Sequence, residues 1–221
     1  MLRSSSTRQA HTDRGVDPGT VITGLRRALE NGEQRLGMSS HPIMCFLRHL
    51  SADEAMETLH QVLPYKEWIV GVGLNSSEVG HPPEEFEEAG RLGFHRVAHA
   101  GEEGPPEYIR QALDGLGAAR IDHGVRCVED PGLVRRLGEE QVPLIVCPLF
   151  NVRLRGFPTL EEHPVKRMLR EGLCVTVNSD DPAYFGGYVA ANYSAMRNGS
   201  PKLGEQMTHR SLIWRIRWLH F

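Results

Sequence analysis

The sequence predicts an α/β fold of the parallel (β/α)8 type, incomplete, with about six of the eight strands present. Three observations predict it. Short apolar runs recur along the chain at about 25 to 30 residues per unit. Segments with helical periodicity separate them. A polar, chemically capable residue follows nearly every run.

The runs are Ile43–Leu47, Trp68–Leu74, Arg96–Ala98, Arg120–Ile121, Val142–Cys147 and Leu173–Val177. Between Thr20 and Leu36, Val21, Leu25, Ala28, Leu29 and Leu36 fall near a 3.6 period, predicting a helix. Ser51 with Glu54 three residues on reads as a capping box. Pro105 and Pro106 open a helix near 107–116, since proline suits a first turn. Asp130-Pro131 opens 132–140 in the same way. Pro164 opens a segment to Glu171, closed by Gly172. Strand alternating with helix implies parallel strands joined by crossovers, which fits a doubly wound sheet as well as a barrel. The strand ends decide between them. Arg48 and His49, Asn75 to Glu78, His99 and Glu102, Asp122 and His123, Phe150 and Asn151, and Asn178 with Asp180 and Asp181 follow six successive runs. A doubly wound sheet concentrates its ligand at one switch point. Chemistry at every strand end is the arrangement of a barrel ringed by βα loops.

Length predicts one domain, at most two, and the reading is a single domain over 1–221. Lys and Arg number 25 against 28 Asp and Glu, a net charge of −3. That balance gives no basic patch for nucleic acid and no acidic tail. The apolar share of 40% before the 23 glycines are added excludes wholesale disorder. No apolar run approaches the roughly 18 residues of a membrane span. Met1 to Arg14 has no apolar h-region, so it does not read as a secretory signal. Its Ser and Arg content leaves a transit peptide as the minor alternative. Four scattered cysteines without a CxxC pair read as buried thiols in a cytoplasmic protein.

Among residues that could do chemistry, His99 ends a strand and Glu102 stands three residues into its loop. His95 and His99 share a strand face about 13 Å apart at roughly 3.3 Å per residue, too far to bind one metal. His123 precedes Gly124, which permits close approach of backbone to a ligand. A histidine there can serve as a base or hold a water, or be a satisfied loop histidine. In Asn178-Ser179-Asp180-Asp181-Pro182 two adjacent carboxylates follow an apolar strand. Adjacent carboxylates repel unless a cation or donor relieves them, so metal or substrate is one reading and an Asp-rich turn before proline the other. A full dinucleotide fingerprint, a phosphate loop, a nucleophile elbow and the cytidine-deaminase cysteine pair are all missing from the 221 residues.

Four segments in order carry a resemblance: Ser76–Pro83 (SSEVGHPP), Val97–Pro106 (VAHAGEEGPP), Ile121–Cys127 (IDHGVRC) and Val177–Tyr188 (VNSDDPAYFGGY). Together they resemble the adenosine/adenine deaminase family, closest to its adenine deaminase branch, over about 11–206. The resemblance implies a zinc-bearing barrel that hydrolyses the exocyclic amine of a purine, with adenine going to hypoxanthine and ammonia in purine salvage. It implies His99 and Asp180 as zinc ligands and Glu102 as the acid that protonates the ring nitrogen. His123 would hold and deprotonate the zinc-bound water. Asp181 would contact the purine's imidazole side and the incoming hydroxyl. The partner is a small purine, with no nucleic acid and no membrane.

The chain also departs from that pattern. The family's His-x-His pair, two further zinc ligands on its first strand, occurs nowhere in the 221 residues. Ile43–Leu47 resembles the family's third strand and Ala10–Gly15 the loop after its second, so the chain reads as truncated by two strands at its N-terminus. Phe150 stands where a small polar residue is usual, and Asn75 where Asp is usual. The segment 208–221 departs from the family. Two function classes follow: an adenine-directed aminohydrolase, with adenosine as the alternative substrate, or a truncated non-catalytic member. Open barrel edges imply self-association.

Overall fold

The computed structural model of the chain describes residues 5–7, 11, 14–83 and 92–198. The 208–221 segment lies outside the described residues, as does most of Met1 to Gln9. The chain divides into two compact units, one of Met1–His99 with Glu107–Ala119 and one of Ala100–Pro106 with Arg120–Phe221.

In the first unit the strands are β1 (Ser5–Thr7), β2 (Ile43–Leu47), β3 (Gly71–Asn75) and β4 (His95–Ala100, its last residue in the second unit). Each pairs parallel with the next, through registers such as Thr7 with Cys45, Cys45 with Gly73 and Gly73 with Val97. β3 is buried at all five positions, as expected of a parallel strand covered on both faces. Ile43, Cys45 and Val97 form a buried cluster with Val70 against it. Helix α1 (Pro18–Leu36) is capped by Asp17, whose carboxylate accepts from Thr20 N at 2.8 Å. The apolar positions that set its period bury little. Gly19 and Ile22 are its buried residues, and Leu36 is 67% exposed. Helix α2 (Ala52–Val62) carries the expected capping box, with Ser51 and Glu54 exchanging backbone and side-chain bonds. A 3₁₀ segment, Leu63–Trp68, leads into β3, and α3 (Pro106–Asp114) follows β4.

In the second unit β5 (Arg120–His123), β6 (Leu144–Val146) and β7 (Val175–Val177) pair parallel in sequence order, with Ile121 opposite Leu144 and Leu144 opposite Val175. A 3₁₀ segment, Val125–Glu129, and helix α4 (Pro131–Glu140) join β5 to β6. Asp130 caps α4 through Gly132 N and Leu133 N. Helices α5 (Pro148–Arg153) and α6 (Val165–Arg170) lie between β6 and β7, and α7 (Pro182–Phe185) and α8 (Val189–Asn198) follow β7. Ile121, Leu133, Leu137, Leu144, Val146 and Met168 are fully buried.

All six strands expected from the apolar runs form. β1 is an addition: three polar residues, Ser5-Ser6-Thr7, pair with β2 without any apolar signal. The described residues therefore hold seven parallel strands, each followed by helical or loop crossovers, and the fold is of the incomplete (β/α)8 type. Cys45, Cys127 and Cys147 are buried thiols outside any disulfide, with Cys127 pushed up to about 12 chiefly by burial.

Two stability outcomes follow. A Cβ on Gly71 would stand 2.7 Å from the His95 carbonyl oxygen, a backbone neighbour with nowhere to go. Gly71→Ala is expected to cost about 1–3 kcal/mol, read as a lowered urea midpoint. Ser51→Ala removes the cap of α2 and is expected to cost about 0.5–2 kcal/mol. Unchanged midpoints would contradict these packing and capping arguments.

Candidate active site

The site grows from the ends of the strands. His99 closes the first unit, one residue before Ala100. Its Nδ1 lies 3.1 Å from the Leu74 carbonyl oxygen at the end of β3. Beside it Arg48, buried at the end of β2, donates from Nε to His81 O at 2.7 Å and from Nη1 to His99 O at 2.8 Å. The His99 backbone is thereby fixed from the side of β2 and its ring from the side of β3. Asn75, at the end of β3, is buried, and its carbonyl accepts from Arg48 N.

In the second unit the loop after β4 is sewn to the end of β5. Gly124 N donates to Ala100 O at 3.0 Å, Arg126 N to Gly101 O at 2.9 Å and Arg126 Nη1 to Glu103 O at 2.6 Å. Glu102, between those bonds, is thus aimed at His123. The His123 ring is buried, with its Nε2 3.3 Å from Glu102 Oε2 and 3.2 Å from Asp180 Oδ2. Both His123 and Asp180 adopt left-handed backbone, φ 64° and 55°. Such conformations cost about 1–3 kcal/mol each in non-glycine residues and gather at functional sites. Here they turn two side chains inward where the strands stop.

Behind His123 lies Asn151, 2% exposed. Its Nδ2 donates to Glu102 Oε1 at 3.2 Å and lies 3.4 Å from His123 Nδ1. Its Oδ1 lies 3.2 Å from Nε2 of buried His163. Burial, and then the charge of His123, push His163 down to about 3, so it stays neutral at ordinary pH. The Phe150 ring stacks on His123 at 6.0 Å, and Phe185 meets Phe150 edge-on at 5.0 Å. Asp181 is exposed. Its carboxyl is pushed up by desolvation and then by Asp180 beside it.

The second unit therefore brings Glu102, His123 and Asp180 together, with Asp181 next to them in sequence at the exposed edge. Sequence reasoning noted Asn151 as a strand-end residue without a role and missed His163. The signal for His163 was weak, a lone histidine before Pro164 in a polar loop. Tyr184 is 86% exposed, and Phe185 packs edge-on against Phe150.

Parallel strands joined by crossovers, with a buried histidine between two carboxylates where the strands end, are the arrangement of a (β/α)8-type protein whose polar residues gather on the βα loops. Comparison with known proteins makes the class specific. The family model described as adenosine deaminase matches residues 5–211, and the chain belongs to that family. It is 61% identical over 202 residues to the adenine deaminase of Hahella chejuensis and 57% identical over 203 residues to that of Streptomyces coelicolor. Each alignment covers 90% of this chain and 60% of the relative. The crystal structure of adenine deaminase from Arthrobacter aurescens superposes with a TM-score of 0.84 at 52% identity, covering 86% of this chain and 59% of that one. An amidohydrolase from Burkhoderia ambifaria, solved with bound zinc, gives a TM-score of 0.70 at 29% identity over 76% of this chain and 49% of that one. The chain thus spans about 60% of the length of the curated relatives it matches.

The depressed His163 has a consequence for stability. Between about 3 and its unfolded value of 6.5 the unfolded chain binds a proton there that the folded chain does not. Stability therefore rises with pH across that window and levels off above it, with a slope from this residue of at most about 1.4 kcal/mol per pH unit. Urea unfolding of the native chain and of His163→Gln, compared at about pH 5 and about pH 7.5, should show the substitution flattening the dependence. Equal pH dependence in the two proteins would contradict it.

Proposed function

We propose that the site deaminates adenine by hydrolysis, water and adenine giving hypoxanthine and ammonia, with a divalent zinc held by His99 and Asp180. The observation that carries this reading is the buried His123 Nε2 set 3.2 and 3.3 Å from the Asp180 and Glu102 carboxylates. Hydrolytic deamination of a purine asks for that set: a group to hold the attacking oxygen, a carboxyl to protonate the ring nitrogen and an anion to bind a cation. The donor set fits zinc, whose protein ligands are imidazole nitrogen and carboxylate oxygen. When bound, zinc supplies Lewis acidity that brings the pKa of its water toward 7.

In this reading each residue has a protein-side task. Glu102, oriented by Asn151, gives its proton to the ring nitrogen next to the attacked carbon, so that the ring accepts the electron pair as the oxygen adds. His123 holds the attacking oxygen. Asp181 contacts the imidazole side of the purine. The Phe150 and Phe185 rings form an apolar wall beside His123. The high identity to proteins named adenine deaminase supports adenine over adenosine.

A second reading, a non-catalytic member of the family, is favoured by one observation: the 221 residues contain no His-x-His pair. Catalytic zinc normally takes three protein ligands, and the family motifs assign two here. A cytoplasmic location belongs to the same proposal. Among the described residues no helix is long and apolar enough to cross a membrane. Self-association through unpaired strand edges likewise belongs to the proposal.

Zinc content after dialysis, and ammonia release from adenine and adenosine, test the readings together. The measurements are made on this chain and on a version extended with the His-x-His segment of a full-length relative. The extended protein is expected to turn over adenine well above adenosine. Glu102→Gln should lower its kcat by about 10²–10⁴-fold, and His99→Ala and Asp180→Ala should each lose the zinc. Equal rates on both substrates would sink the adenine assignment. Zinc retained in both alanine variants would sink the ligand assignment. An inactive extended protein with zinc bound would favour the non-catalytic reading.

A further inference from the structure

We propose that Asn151 and His163 are positioning residues that set the tautomer of His123, so that its ring offers a protonated Nε2 to the site. The consequence for catalysis rests on the deaminase reading above; the tautomer itself rests on the hydrogen bonds alone.

A backbone N–H is a donor that cannot be reversed. The backbone N–H of Val165 donates to His163 Nδ1 at 3.2 Å. That nitrogen is an acceptor, so the proton of the neutral ring is on Nε2. Burial holds this ring neutral. Turning the ring over would set carbon against both partners. Nε2–H therefore donates to Asn151, and the atom receiving it at 3.2 Å is the amide oxygen. The orientation of the amide follows. Its NH₂ group faces the other way, with one hydrogen to Glu102 Oε1 at 3.2 Å and the other toward His123 Nδ1 at 3.4 Å. Facing a donor, Nδ1 of His123 is the acceptor, and the neutral ring carries its proton on Nε2.

On the other side of the ring, Nε2 lies 3.2 Å from Asp180 Oδ2 and 3.3 Å from Glu102 Oε2. A single chain of orientation thus runs from the Val165 backbone through His163 and Asn151 to His123 Nδ1. Protonating Nδ1 as well would set its N–H against the Asn151 N–H. His123 accordingly enters the reaction as a donor that holds an oxygen, and this replaces the deprotonating half of the role expected from the family resemblance. The same amide hydrogen bond fixes the Glu102 carboxyl, so one buried asparagine sets the geometry of both groups.

Long-range ¹H–¹⁵N correlation spectra of the full chain labelled with ¹⁵N-histidine test this. His123 and His163 are assigned by the loss of their signals in His123→Gln and His163→Gln. Both rings should show the neutral Nε2–H pattern in the native chain. Asn151→Asp, nearly isosteric, replaces the NH₂ facing His123 by an acceptor. The His123 Nδ1 resonance should then move to the position of a protonated nitrogen while His163 keeps its pattern. A loss of packing alone would not move a proton from one ring nitrogen to the other. His163→Gln retains an N–H to offer Asn151 and should keep the native His123 pattern, whereas His163→Leu should lose it. Where Asn151→Asp does not fold, the Gln and Leu pair decides. A native His123 protonated on Nδ1 would overturn the proposal. So would an unchanged His123 in folded Asn151→Asp, or identical His123 spectra in the Gln and Leu variants. Absence of adenine turnover with the native tautomer pattern intact would count against the deaminase reading alone.

Discussion

An imidazole taken out of water must find one acceptor and one donor for its two nitrogens, and much of the second unit follows from meeting that demand at His123. The residue is 1% exposed. An unsatisfied buried polar group costs about 1–3 kcal/mol, so its neighbours are not free to vary. Asn151 faces one nitrogen, Glu102 and Asp180 face the other, and Phe150 covers the ring. Asn151 is itself buried and has an amide to satisfy, which brings in His163. His163 is buried in turn and takes the Val165 backbone N–H, the first residue of α6. Each step moves the requirement one residue outward until it reaches a helix N-terminus, where backbone donors stand without intrahelical partners.

The same demand explains the backbone at the strand ends. A side chain in a regular strand alternates between the two faces, so consecutive residues cannot enter one site. His123 and Asp180 leave the strand conformation for the left-handed region. That lets Asp122 keep its buried partner Arg120, 3.1 Å away, while the next side chain reaches Glu102 and Asp180. The local cost is met by burial of the runs that precede each turn, Ile121 in β5 and Val175 and Val177 in β7.

How much of this could be read from the sequence depended on the range of the interaction that shaped each part. β2 to β7 follow from apolar runs, and α2 and α4 from the capping residues Ser51 and Asp130, because those signals act within a few residues. β1 left no signal, since its three polar residues are placed by pairing with β2 and not by their own apolarity. The helix α1 was visible from its periodicity, but nothing local says what covers it. Glu102, His123, Asp180 and Asp181 were found through motif resemblance. Asn151 and His163 were not given roles, because amide and imidazole roles are set by partners 28 and 49 positions away, in His123 and Glu102, and by a backbone N–H that any residue carries.

Phe150 shows how the proton-handling part of the site and its metal shell can be separate constraints. A small polar residue at this strand end could offer a hydrogen bond to the histidine beside it. Phe150 offers a ring face instead, stacked on His123 and wedged edge-on by Phe185. Stacking satisfies neither nitrogen, so the polar surroundings of the ring are Asn151, Glu102 and Asp180. Removing water from one side of the ring strengthens each remaining electrostatic contact, because the local dielectric falls. A cation asks for something different: a count of ligands rather than a match of donors to acceptors. The orientation of His123 follows from protein groups, whereas the affinity of any such site for a cation would depend on how many imidazoles and carboxylates it gathers.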